Sequence, residues 1–96
     1  MPARQVGEGR KVVAATGTAV VLESTEHIVE VVTIQSELNN TGVVVVGGAG
    51  VIAAEATREG VGLYPGDSVV LRDVDLNKVY IDAITNGDGV TFTFKG

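Results

Sequence analysis

The stretch "GVVVVGGAGVIAAEATREG", residues 42–60, decides the fold. Four valines, residues 43–46, run into Gly47, Gly48 and Gly50, with Ala53 three residues further on. Spelled Gly48-x-Gly50-x-x-Ala53, it matches the fingerprint that cradles the pyrophosphate of a dinucleotide. That reading needs a strand, a tight turn and a helix whose N-terminus faces phosphate. "VIAAEATRE" would be the helix, and Asp73, about 20 residues on, the ribose-binding acid. The competing reading is a strand over 43–46, a glycine turn over 47–50 and a returning strand over 51–56. Glycines at a tight β-turn require no ligand.

The surroundings choose between the two. A dinucleotide-binding domain is built from two βαβαβ halves and takes on the order of 150 residues, whereas this chain has 96. The flanking segments alternate as antiparallel strands do and do not repeat strand–helix units. We therefore read the glycines as a β-turn, and no cofactor is expected.

The last segment is the clearest strand. In "GVTFTFKG", Val90, Phe92 and Phe94 alternate with Thr91, Thr93 and Lys95, one apolar face against one polar face. Before it, "KVYIDAI" sets Val79, Ile81 and Ala83 opposite Lys78, Tyr80 and Asp82. The link "TNGDG" is rich in residues that accept turn conformations, so a β-hairpin is expected over 78–95. "HIVEVVTIQ" reads as a strand over about 28–35, with Glu30 solvated or paired. "LNNTG", residues 38–42, is a turn cluster. In "YPGD", Pro65 and Gly66 hold the centre of a type II turn that leads into the strand "SVVLRDV". Two short strands at about 12–15 and 18–22 hinge at Gly17.

About eight short strands with regular turn signals predict an all-β fold: a small antiparallel β-sandwich or a jelly-roll-like barrel. Alternation does not choose between them. The opening "MPARQVGEGR" holds Pro2, Gly7 and Gly9 and little apolar bulk, so residues 1–10 are expected to be a flexible arm and 11–96 a single β domain.

Composition narrows the chemistry. The net charge is −5, and beyond Arg4, Arg10 and Lys11 the basic residues are scattered. No basic stripe suits a duplex, and nucleic acid is not an expected partner. With no cysteine and one histidine, His27, thiolate and His-pair metal sites are excluded. Asp67, Asp73, Asp75, Asp82 and Asp88 lack the dense spacing of a calcium loop, and no metal site is expected. No nucleophile elbow accompanies His27 or Ser24, and the chain is read as a non-enzyme. "RKVVAATGTAVVL", residues 10–22, begins like a secretory leader. However, Thr16, Gly17 and Thr18 break its apolar run and no cleavage site follows. The run is also far short of the ~20 residues that span a bilayer, so no membrane association is expected. Tyr64 and Tyr80 are the rings that could stack on a sugar.

Residues 33–96 carry, in order, "TIQ", "NNTGVVVVGGAGV", "GVGLYPGDSVVL", "VDLNKVYIDA" and "NGDGVTFTF". This succession resembles small virion proteins of tailed bacteriophages, of the head decoration or head-fibre type. The resemblance implies a homo-oligomer, with a trimer favoured, on the capsid surface of the virion, bound to the major capsid protein. It transfers no active site. Arg4, Arg10 and Lys11 are the candidate attachment residues, on an arm that orders against the shell. The alternative is a tail- or fibre-associated carbohydrate-binding module.

Overall fold

The computed structural model describes residues 5–96. Among the described residues eight strands form in chain order: β1 (Val6–Val12), β2 (Val20–Val21), β3 (Ile28–Ser36), β4 (Val44–Gly47), β5 (Val61–Leu63), β6 (Ser68–Asp75), β7 (Tyr80–Ala83) and β8 (Gly89–Lys95). They make two four-stranded sheets, ordered β1-β8-β3-β6 and β2-β7-β4-β5, with every pairing antiparallel.

The pairs β1·β8, β2·β7, β3·β6 and β4·β5 are those of one long hairpin whose two arms have been rolled up together. Contacts β8·β3 and β7·β4 close the roll into two sheets. This is the strand order of an eight-stranded jelly roll, so tertiary pairing settles what alternation left open.

One core fills the space between the sheets. Val32, Ile34, Val90 and Phe92 from the first sheet meet Val44, Val46, Leu63, Ile81 and Ala83 from the second, with Leu76 and Val79 closing one end. Burying a side chain of this kind contributes roughly 1.5–3 kcal/mol.

The four valines now have their explanation. Val44 and Val46 point into this core. Val43 and Val45 point to the outer face of the second sheet, where Val51 and Ala53 cover them in a second, smaller core. A strand buried on both faces reads as a continuous apolar run. The glycine-rich segment 47–60 is the cover that folds back over it.

Three expectations are corrected. First, β4 does not turn back into a strand over 51–56. Its partner is β5, after thirteen intervening residues, and that segment makes one bridge, Ile52 to Glu59, and a short 3-10 turn at Glu55–Thr57. Second, 78–95 is not a hairpin. β7 lies in the second sheet and β8 in the first, so the link crosses between sheets. Gly87, at φ +92°, donates to the Val13 carbonyl, and Val13 donates back to that of Asp88, which ties the corner to the end of β1. Third, residues 6–10 are no arm. They form most of β1, and residues 1–4 lie outside the described residues.

The physical reason for that strand lies at the other end of the chain. Gly9 pairs with Phe92 and Gly7 with Phe94. The phenyl rings occupy the space of the missing side chains, since a Cβ on Gly9 would lie 2.4 Å from Phe92 Cζ and one on Gly7 2.3 Å from Phe94 Cζ. An aromatic ring lying over a cross-strand glycine restores the packing the glycine lacks. The Gly-x-Gly of β1 and the Phe-x-Phe of β8 are one device.

Candidate functional site

Because consecutive strands alternate in direction, the links β1–β2, β3–β4, β5–β6 and β7–β8 all gather at one end of the roll. Hydrogen bonds knit them into a single surface. Asp88, which is buried, accepts from the Thr41 N–H at 3.0 Å and the Gly42 N–H at 2.8 Å. Asn40 donates to the Gly89 carbonyl at 2.8 Å and accepts from the Gly89 N–H at 3.0 Å, so its amide acts as a strand partner. The same Nδ2 donates to the buried Ser36 hydroxyl at 2.7 Å. The Asn86 carboxamide accepts from Thr16 N–H, which adds the β1–β2 link.

The turn before β6 forms as expected. Gly66 takes φ +89°, Asp67 N–H donates to the Tyr64 carbonyl, and the Asp67 carboxylate accepts from Tyr64 N–H. Gly66 N–H then donates to the Ser36 carbonyl, and Ser36 N–H to that of Asp67, which fixes the turn against the end of β3.

On this braced end stand three exposed apolar side chains. Leu38 is 79% exposed, Tyr64 67% and Ile84 46%. Leu38 rests on the Tyr64–Asp67 turn, where a Cβ on Gly66 would come within 3.1 Å of its Cδ2. Ile84 leans over Gly42. Leu38 was not legible as a site residue, although an apolar side chain inside the turn cluster "LNNTG" was a signal of it.

The outer face of the second sheet holds a cleft of about 260 Å³ lined by Thr16, Gly17, Val51, Ile52, Asp82 and Ile84. Asp82 at its floor is buried, with one oxygen accepting from Gly17 N–H and the other from Ala53 N–H, both at 3.2 Å. Arg58 donates Nε and Nη2 to the Ala53 carbonyl. Asp82 and Arg58 thus clamp Ala53 from both sides and hold the cover loop on the sheet.

The other expected residues are dispersed. Arg10 lies on the outer face of β1 and donates Nε to Glu37 at 2.6 Å, which raises its pKa. Lys11 is the next residue of the same strand and points to the opposite face. Arg4 lies outside the described residues. Among the described residues, Arg10 and Lys11 belong to a strand and not to an arm, and they share no face. Tyr80 packs against the second core, far along β7 from the loop end that carries Tyr64, so the two rings make no common platform. His27 has Nδ1 3.0 Å from Glu23 and its ring edge-on to Phe94 at 4.5 Å. Asp75 accepts from the His27 and Asn77 backbone N–H groups, and these bonds lower its pKa. Among the described residues no group of three or more acids or histidines could hold a metal.

The fingerprint glycines have no phosphate cradle. The segment after them is a three-residue 3-10 turn, and Asp73 lies in the other sheet on β6. Gly48 and Gly50 face open space, whereas Gly60, at φ +119°, would drive a Cβ to 2.6 Å from Val45 Cγ1. The glycine that this stretch requires is Gly60.

No family model, curated protein or solved structure matches the chain.

Proposed function

We propose that this protein is a virion component that decorates the outer surface of a tailed-phage head, binding the assembled major capsid protein as a homo-oligomer. The observation that carries the reading is the loop end. It is a polar-braced platform from which Leu38 and Tyr64 project. The braces are Asn40, Gly42, Asp88 and Gly89, residues of the "NNTG" and "NGDG" motifs on which the resemblance rests. Exposed apolar and aromatic anchors on a rigid support suit docking to a protein surface.

A cement protein acts by binding the assembled shell and not its free subunits, so that binding free energy is added to shell stability. Shell symmetry admits a trimer at local threefold positions or a pair at local twofold ones. The test is co-sedimentation with shells assembled from the major capsid protein. We expect binding to shells, no binding to free subunits, and at least tenfold weaker binding by Leu38→Asp and Tyr64→Asp variants that remain folded. Normal binding by both variants would remove the loop end from this role.

A second reading follows from Tyr64 alone. An exposed ring in a turn that also holds a carboxylate, here Asp67 bonded to the Tyr64 backbone N–H, is the kind of surface that stacks on a sugar. Binding on a glycan array that is lost in Tyr64→Ala would favour a carbohydrate-binding module of a tail or fibre.

A further inference from the structure

Each sheet of the roll has two edges, and three of the four are blunted. β2 has two residues and β5 three. β6 is long, but Asp73 within it takes the left-handed region at φ +52° and breaks the regular run. Short or distorted edges are how β proteins avoid pairing with other chains. β1 is different. It is a regular seven-residue edge whose register with β8 is unbroken from Val6 to Val12.

The hydrogen bonds at its two ends set the phase. Gly96 N–H donates to the Gln5 carbonyl, and Val13 N–H donates to that of Asp88. Odd-numbered residues of this strand therefore turn their backbone groups toward β8. In an antiparallel ladder the alternate residues turn theirs the other way. The N–H and C=O groups of Val6, Glu8, Arg10 and Val12 face outward, and among the described residues no strand pairs with that side.

We propose that β1 pairs with β1 of a second copy about a twofold axis through Gly9, joining two four-stranded sheets into one of eight strands. The sequence "VGEGRKV" is self-complementary in this register. Only registers that set even residues opposite even residues bring the outward groups together. With the axis at Gly9, Glu8 lies opposite Arg10 and Arg10 opposite Glu8, while Val6 lies opposite Val12 at either end. All four outward residues then find partners. Moving the axis to residue 8 sets Glu8 against Glu8, and moving it to residue 10 sets Arg10 against Arg10. Opposite charges across a ladder stabilise and like charges destabilise, so charge selects the central register.

Arg10 can serve both partners. Its Nε and Nη2 engage Glu37 of its own chain, which leaves further N–H donors for Glu8 of the second copy. Glu8 and Arg10 are both exposed on the outer face, and so is Val6 at 67%.

The test is the solution mass of the full chain by size-exclusion chromatography with light scattering. The expected mass is twice 9.9 kDa. Glu8→Pro removes an outward N–H and leaves the β8 ladder intact, since proline is tolerated on that side of an edge strand. It is expected to be a folded monomer by circular dichroism. Glu8→Arg and Arg10→Glu alone should each weaken the dimer by about tenfold or more, and the double exchange should restore it. A monomeric or trimeric wild type overturns the proposal, because one strand edge pairing antiparallel with itself makes only pairs. A dimer unchanged in Glu8→Pro overturns it as well. Shell binding by the monomeric variant is read separately, so the decoration role stands or falls on its own assay.

Discussion

Replacing Asp88 with alanine should unlatch the loop end. Asp88 is 5% exposed, and its carboxylate is the acceptor for two backbone N–H groups, those of Thr41 and Gly42, which lie 47 and 46 residues away in sequence. Truncation leaves both donors without an acceptor. Each buried unsatisfied group costs roughly 1–3 kcal/mol, so the pair amounts to about 2–6 kcal/mol. Partial access of water to the link would bring the value toward the lower end. A domain of this length has a total stability of about 5–14 kcal/mol, so the loss is a large fraction of it. In urea, with a slope of roughly 1–1.5 kcal/mol/M, a loss of about 3 kcal/mol lowers the midpoint by about 2–3 M. Asp88→Asn keeps one carbonyl oxygen and turns an NH₂ toward a donor, so its midpoint should fall between wild type and alanine. The assay is equilibrium unfolding followed by circular dichroism at neutral pH. An alanine midpoint within about 0.3 M of wild type would refute the view that this latch holds the two links together.

Other expectations concern the glycines and Asp75. Gly9→Ala should destabilise by about 1–3 kcal/mol, the range for overpacking, because its Cβ would displace the buried Phe92 ring; thermal unfolding measures this. Gly48→Ala and Gly50→Ala should each change stability by less than about 0.5 kcal/mol, as for uncommitted surface positions. Gly60→Ala should cost at least about 1 kcal/mol through its left-handed φ and the clash with Val45. If the three behave alike in denaturant titration, the assignment of the required glycine is wrong. The Asp75 pKa is depressed by N–H donors that favour the charged form, so its contribution is present above the unfolded carboxylate value, about 3.9, and is lost as pH falls through the lower folded value. Asp75→Asn should therefore have a lower midpoint than wild type near pH 7, and the gap should narrow as pH is lowered below the unfolded carboxylate value. A gap that does not narrow with acid would count against this assignment.

Local chemistry was enough to read much of this protein. Period-two alternation marks β8 and most of β3 and β6, because a strand sends successive side chains to opposite faces whatever its partner. Pro65-Gly66 marks its turn because the φ values are properties of those two residues. The all-β class and the turn into β6 were within reach of that reading.

Partnership was not. The link "TNGDG" is as compatible with a hairpin as with a crossing between sheets; the crossing appears only in the pairing of β7 with β2 and β4 and of β8 with β1 and β3. The Gly-x-Gly of β1 looks like an arm until Phe92 and Phe94, more than 80 residues later, fill its empty side-chain positions. The same distance hid the fate of Arg10 and Lys11, which alternation within β1 sends to opposite faces once the segment is known to be a strand. The four valines show apolar character but not what buries each face. Periodicity encodes the faces a segment presents. Which segments meet depends on burial and hydrogen bonding summed over the whole chain, and only the rolled-up structure fixes that.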